Sequence, residues 1–272
     1  MTGKLIKYEI RSSVKLIAVI WAALITASIL FSIVGNVILK VLPEWFNNSV
    51  ISVILAFAAG IIYFALFTAM IVVTIMIVIL RFYRGLLGNE GYLMHTLPVK
   101  PWQLITSKGV VSAGVVLISI IAAILSITIM AVIAGGLDIA GMFRDIAQAV
   151  KDEPQVLLIG MEILIVMVAT LMKWVYQIYA SLSIGQLAGK HRILLSLGAY
   201  IGINVVLSVI GTVMIFVTSE TSIMSWIGRM VDTQGIAVVH AGLGALFFIT
   251  AVQLAAFHVI TERILSRHLN LQ

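Results

Sequence analysis

The sequence predicts an all-α polytopic membrane protein with six transmembrane helices, and three observations predict it. Hydrophobic residues make up 62% of the 272 and charged residues only 10%, with a mean hydropathy of +1.18, far from the composition of a soluble domain. Six apolar runs follow one another at about 16–39, 50–80, 110–134, 156–187, 193–217 and 236–260. Each exceeds the roughly 20 residues that a helix needs to cross a bilayer. Charge is confined almost entirely to the connections and is divided unevenly between the two sides. The whole chain, 1–272, therefore reads as a single transmembrane domain.

The elements follow in order. Lys4, Lys7, Arg11 and Lys15 share one helical face and Ile6, Ile10 and Val14 an adjacent one, so residues 1–15 read as an interfacial helix on an anionic leaflet. The apolar run after them is too long for a signal-peptide core and reads as an uncleaved signal anchor. Lys40, Pro43, Trp45 and Phe46 suit a headgroup belt at its end. The second span is longer than a crossing requires, which implies tilt, a bend near Gly60 or projection beyond the membrane. After the third span, Ile139, Met142, Phe143, Ile146 and Val150 recur at helical spacing opposite Arg144, Asp145, Gln148, Lys151 and Asp152. This predicts a short amphipathic helix on the far side, with Asp138 as its cap. The fourth span ends in the basic turn AGKHR. Beyond the fifth, Ile223, Trp226, Ile227, Met230 and Val231 predict a second short outer helix before the sixth span and a basic tail.

The longest polar interruption on the basic side, Arg81 to Lys108, turns the chain between spans two and three. Gly85, Gly88, Asn89 and Gly91 break a continuous helix at its start, and Pro98 and Pro101 block one at its end. Between them, Glu90 to Leu97 has room for about two helical turns, with Asn89 as cap and Glu90 favourably placed against the dipole. Tyr92, Leu93, Met94 and Leu97 give this element an apolar face, which suits insertion into a groove on a soluble partner.

Orientation follows from charge. Twelve of the seventeen Lys and Arg fall on the side of the termini and the central turn, four on the other, and Lys173 within a span. Seven of the eleven acidic residues divide the other way, with Glu162 in a span. Both termini and the central turn are therefore expected in the cytoplasm. The net charge of +6 is read as topogenic rather than as a nucleic-acid surface, because it clusters beside apolar runs.

Motif chemistry is sparse. With no cysteine, disulfides and thiolate metal sites are excluded. No G-x-x-x-x-G-K-[ST] occurs; GQLAGKH at Gly185 to His191 is one spacer short, with His where a magnesium-binding hydroxyl belongs. There is no H-E-x-x-H and no G-x-S-x-G, and the five histidines lack ligand spacing. Within the spans, Glu162 and Lys173 are the acid and base that invite a functional reading, since charge in lipid is costly. Either Lys173, with Gln177 and Asn204, lines a substrate path, or Glu162 sits at the interface and Lys173 snorkels. The small-xxx-small pair Gly198 and Gly202 serves packing within one subunit or between subunits, and Tyr176, Gln177, Tyr179, Asn204 and Gln253 suit interhelical hydrogen bonds.

The stretch YRGLLGNEGYLMHTLPVKPWQLITSK, with MTGKLIKYEIRSS at the start and SIGQLAGKHRILLSLGAY after the fourth span, resembles the permease subunits of type-2 ATP-binding-cassette exporters of Gram-positive bacteria. The resemblance implies a six-helix half-transporter of the type V exporter fold in the cell membrane, paired with a second permease copy or paralogue. Two separate ATPase subunits would hold ATP and magnesium, and this chain would carry no cofactor and no catalysis of its own. By the same resemblance, Asn89, Glu90, Gly91, Tyr92, Leu93, Met94, His95, Thr96, Leu97 and Pro98 form the coupling helix that docks on the ATPase. The N-terminal segment becomes the connecting helix and the segment between spans five and six an outer re-entrant element. The expected cargo is amphipathic or hydrophobic: a peptide, a lipid or a drug-like molecule.

Two other classes stand beside this one. Three spans in each half with opposite orientation permit the inverted repeat of a secondary transporter, although the halves show no sequence similarity. An intramembrane enzyme is the other, and no motif favours it.

Overall fold

The structure, a computed structural model, describes residues 2–36, 50–88, 101–133, 135–188, 191–220, 225, 228–230 and 235–267. They form seven long or medium helices: α1 (Thr2–Asn36), α2 (Val50–Phe82), α3 (Pro101–Ile133), α4 (Ile139–Asp152), α5 (Gln155–Gly185), α6 (Arg192–Glu220) and α7 (Ile236–Arg267). All but α4 contain a stretch long and apolar enough to cross a membrane, as expected of a multi-pass membrane protein. Large apolar side chains stay exposed along these helices, among them Phe64, Ile193, Ile215 and Phe248, which suits a hydrocarbon surrounding and not water.

Several boundaries differ from those predicted. Residues 2–36 are one helix, so the interfacial segment and the first span are continuous; no glycine or proline between Lys4 and Leu24 gives the chain a reason to stop. α2 runs unbroken through Gly60, and its winding continues through Gly85 as a π turn, Tyr83–Leu87, before the extended backbone of Gly88 ends it. Gly85 is thus absorbed into a wider turn, and the helix ends at Gly88. α3 begins at Pro101, nine residues before the predicted start of the third span. Proline is tolerated in a first helical turn, where its missing amide would have no partner, so Pro101 opens a helix here.

α4 occupies the predicted position. Asp138 precedes it, its carbonyl accepting the Met142 amide at 3.0 Å and its carboxylate 3.9 Å from the Arg144 guanidinium. Met142, Phe143 and Ile146 are exposed. Of the second outer helix, residues 225 and 228–230 are helical and the remainder lies outside the described residues. The docking segment 89–98 lies outside them too.

Packing divides the chain into two compact units. One, within Gly3–Val78 and Val111–Gln148, centres on Leu24, Met70 and Ala122, with Ile20, Trp21, Tyr63, Leu66 and Phe67 around them. Ser112, Ser119 and Ser126 recur every seven residues along α3 and are all buried, which lets the helices approach closely. Their hydroxyls also tie the helices together: Trp21 Nε1 donates to Ser119 Oγ at 3.0 Å, Thr74 Oγ1 lies 3.0 Å from the same atom, and Tyr63 pairs with Ser126 at 2.7 Å. At the end of α1, Asn36 Nδ2 donates to the Ile133 carbonyl at 2.7 Å. The other unit, within Ile79–Val110 and Ala149–Gln272, holds the end of α2, the start of α3, and α5 packed against α6 and α7. The residues that invite chemistry lie here.

Candidate functional site

α5 is built in two halves. Its first half exposes Leu157, Met161, Leu164, Ile165 and Val168, while residues 175–181 are buried at every position. Seven consecutive residues cover nearly two turns, so every face of the helix is enclosed there.

The enclosure is aromatic and polar. The Tyr179 ring is stacked on Phe82 at the end of α2, centroids 4.1 Å apart and planes 19° from parallel. Its hydroxyl donates to the Lys108 carbonyl of α3 at 3.2 Å. Tyr176 lies over Gly109, where a Cβ would stand 2.6 Å from the hydroxyl oxygen and 2.7 Å from Cζ. A side chain at 109 would push the helices apart, and glycine lets them touch. The Thr106 side chain is hydrogen-bonded to Tyr176, and His258 of α7 sits at 5.3 Å from its ring. The two feet of the 89–100 segment, the last turn of α2 and the first turns of α3, therefore both lean on one buried stretch of α5.

The sequence places Lys108 among the cations of the central turn, and in the structure it belongs to α3. It is only 4% exposed, on the second turn of α3, with Nζ and Cε against Gly85 of the π turn. The absent side chain at 85 leaves the space that the lysine fills. A π turn is a frequent mark of a functional position, and here it joins the first foot to the second.

Nearer the start of α5, Glu162 pairs with His240 of α7, whose Nδ1 lies 2.8 Å from each carboxylate oxygen. Their side chains are 37% and 29% exposed, so the pair is half sheltered. Glu162 is thus engaged by a partner on α7 and not by Lys173. Lys173 is half-buried further along α5 and makes no hydrogen bond or ion pair among the described residues. One turn on, Gln177 is 2% exposed and its Nε2 lacks a hydrogen-bond partner among the described residues, as does the buried Ser183 Oγ.

Lys173 and Gln177 thus share a face of α5, and Asn204 stands on a different helix. It is exposed on α6, its Nδ2 donating to the Tyr200 carbonyl at 2.7 Å, and with Tyr200, Ile201, Val205 and Ser208 it lines a shallow depression of about 350 Å³. Gly198 and Gly202 are exposed on α6, and among the described residues nothing lies within 4 Å of where a Cβ would stand. Tyr176 and Tyr179 are buried and hydrogen-bonded as expected.

Sequence reasoning missed the burial of Lys108 and the Glu162–His240 pair. A signal existed for the pair. Spans four and six run in the same direction in a six-span topology, and Glu162 and His240 each lie a few residues after the start of theirs, hence at similar depth. Comparison with protein-family models, with curated proteins and with solved structures finds no match to this chain.

Proposed function

We propose that this chain is the transmembrane permease subunit of an ATP-binding-cassette exporter, moving an amphipathic or hydrophobic substrate out of the cell on energy supplied by a separate ATPase. One observation carries the reading. The connection whose sequence resembles a coupling helix has both feet braced on the same enclosed stretch of α5, through Phe82 on one side and Lys108 and Gly109 on the other. A load applied to residues 89–98 then reaches α5, α6 and α7 through close-packed contacts, because packed interiors transmit displacement rather than absorb it. Nucleotide-driven closure of two ATPase subunits would move the coupling helices and switch the cavity between two permeases from inward- to outward-facing. In this scheme ATP and magnesium are held by the partner ATPases. The open face of α6 around Gly198 and Gly202 suits a second permease copy, since small residues let helices approach closely. Both termini lie in the cytoplasm of a bacterial cell and the amphipathic α4 lies on the outer surface.

The test is co-purification with a candidate partner ATPase, followed by Leu93→Asp and Met94→Asp. Each variant places a charge on the apolar face of the docking segment, and each is expected to abolish association. Full association with unchanged ATP turnover would remove the docking assignment.

The Glu162–His240 pair favours a second reading, a secondary transporter. A carboxylate and an imidazole in contact between two spans are groups able to carry a proton. Uptake into proteoliposomes driven by a pH gradient, with no ATPase present and lost in Glu162→Gln, would support that reading over the first.

A further inference from the structure

We infer that Lys173 and Gln177 form a binding site for the anionic head, phosphate or carboxylate, of an amphiphile. Lys173 stands on a helix long and apolar enough to span a membrane, where an ammonium without a counter-charge is costly. Among the described residues it has no hydrogen bond or ion pair. The acid on the same helix, Glu162, is eleven residues away, roughly 16 Å along the axis at 1.5 Å per residue, and is already engaged by His240.

Gln177 supplies the independent observation. It lies four residues on, hence on the same face, is 2% exposed, and keeps its Nε2 donor without an acceptor among the described residues. A buried donor left unmade is unfavourable, and buried polar groups are ordinarily satisfied. A cation and an amide donor one turn apart, both lacking acceptors, match two oxygens of one phosphate or carboxylate.

The rest of α5 says what carries that head. Lys173 stands where the helix passes from its exposed apolar half, with Leu164, Ile165 and Val168, into the enclosed stretch. A tail has apolar surface on one side of the cation, and the head has donors on the other. As a statement about cargo the inference rests on the export reading, whereas binding is measured on this chain alone, so the two fail separately.

The experiment uses the full-length chain in phosphatidylcholine nanodiscs, titrated with dodecyl phosphate, with dodecyltrimethylammonium of the same tail, and with inorganic phosphate; empty discs correct for partitioning. Trp174, next to Lys173, supplies the fluorescence readout. The chain is expected to bind dodecyl phosphate at least about tenfold more tightly than dodecyltrimethylammonium, the scale of a charge-assisted hydrogen bond. Lys173→Gln abolishes that preference, Lys173→Arg keeps it and Gln177→Leu weakens it. Inorganic phosphate binding as tightly as dodecyl phosphate would assign the site to a free anion and overturn the amphiphile. Competition by phosphatidylglycerol added to the discs would name a lipid headgroup as the source, within the proposal. Equal binding of the two detergents by the unaltered chain, or a preference that survives Lys173→Gln, would overturn the site; where Lys173→Gln is not monodisperse, the unaltered chain and Gln177→Leu decide.

Discussion

Gly109→Ala tests the brace between α3 and α5 directly. The new methyl would stand 2.6 Å from the Tyr176 hydroxyl oxygen, 2.7 Å from Cζ and 2.8 Å from Cε2. Ordinary carbon contacts are about 3.5–4.0 Å, so the ring or the helix must yield by close to 1 Å. The ring has little freedom: Tyr176 is 3% exposed, with Tyr179 at 5.8 Å and His258 at 5.3 Å. Overpacking of this kind costs about 1–3 kcal/mol. That corresponds to a fall in melting temperature of several degrees, at roughly 2–4 °C per kcal/mol for a chain of this size. Tyr176→Phe should not rescue it, because Cζ remains in place when the hydroxyl is removed. Tyr176→Leu should, because it clears the ring. Thermal stability of the purified chain, followed by size exclusion across the four members of the Gly109→Ala and Tyr176→Leu cycle, reads the result. The double variant is expected to lose less than the sum of the single losses by about 1 kcal/mol or more, as contacting residues do. Strict additivity would refute the close approach of α3 to Tyr176.

Other expectations concern the neighbouring contacts. Tyr179→Phe removes one hydrogen bond to the Lys108 carbonyl and should cost about 0.5–1.5 kcal/mol, whereas Tyr179→Ala also removes the stack on Phe82 and should cost about 3–5 kcal/mol; equal losses in thermal denaturation would contradict the stack. A Glu162→Gln and His240→Ala cycle should return a coupling of about 0.6–1.7 kcal/mol, the range for polar contacts between membrane helices, and zero coupling would separate the pair. Gly198→Leu and Gly202→Leu should leave the stability of the isolated chain unchanged, as neither position meets a neighbour among the described residues, and should lower the yield of any dimer recovered in nanodiscs.

The spans were legible because their apolar runs are long and end in charge, which needs no tertiary information. The start of α3 was not, for a specific reason. Gln103, Thr106, Ser107 and Lys108 are polar and sit beside Pro101, so hydropathy reads them as a loop; Ser107 and Lys108 are in fact buried, in a unit that α5 shares. Lys108 lies against Gly85, and Gly109 beside it against Tyr176, residues up to 91 apart in sequence. Pro101 is a local sign of a helix start as well as a breaker, and the sequence does not say which. α4 was legible from its periodicity alone, since its apolar residues recur every three or four positions. Among the site residues, Tyr179 finds the hydrogen-bond partner that its type leads one to expect, whereas Gln177 is buried with its Nε2 unpartnered among the described residues. That Asn204 is exposed and bonds back to its own helix is a matter of how α6 is rotated, which no residue spacing within α6 announces.

The central claim is that residues 89–98 protrude into the cytoplasm and seat in an ATPase. The chain has no cysteine, so Leu93→Cys gives a single thiol with no background to remove. Labelling with a membrane-impermeant maleimide should fail on intact cells, proceed after permeabilisation, and be blocked when the ATPase is bound. Labelling from outside intact cells, or labelling of permeabilised cells that the ATPase leaves undiminished, would contradict it.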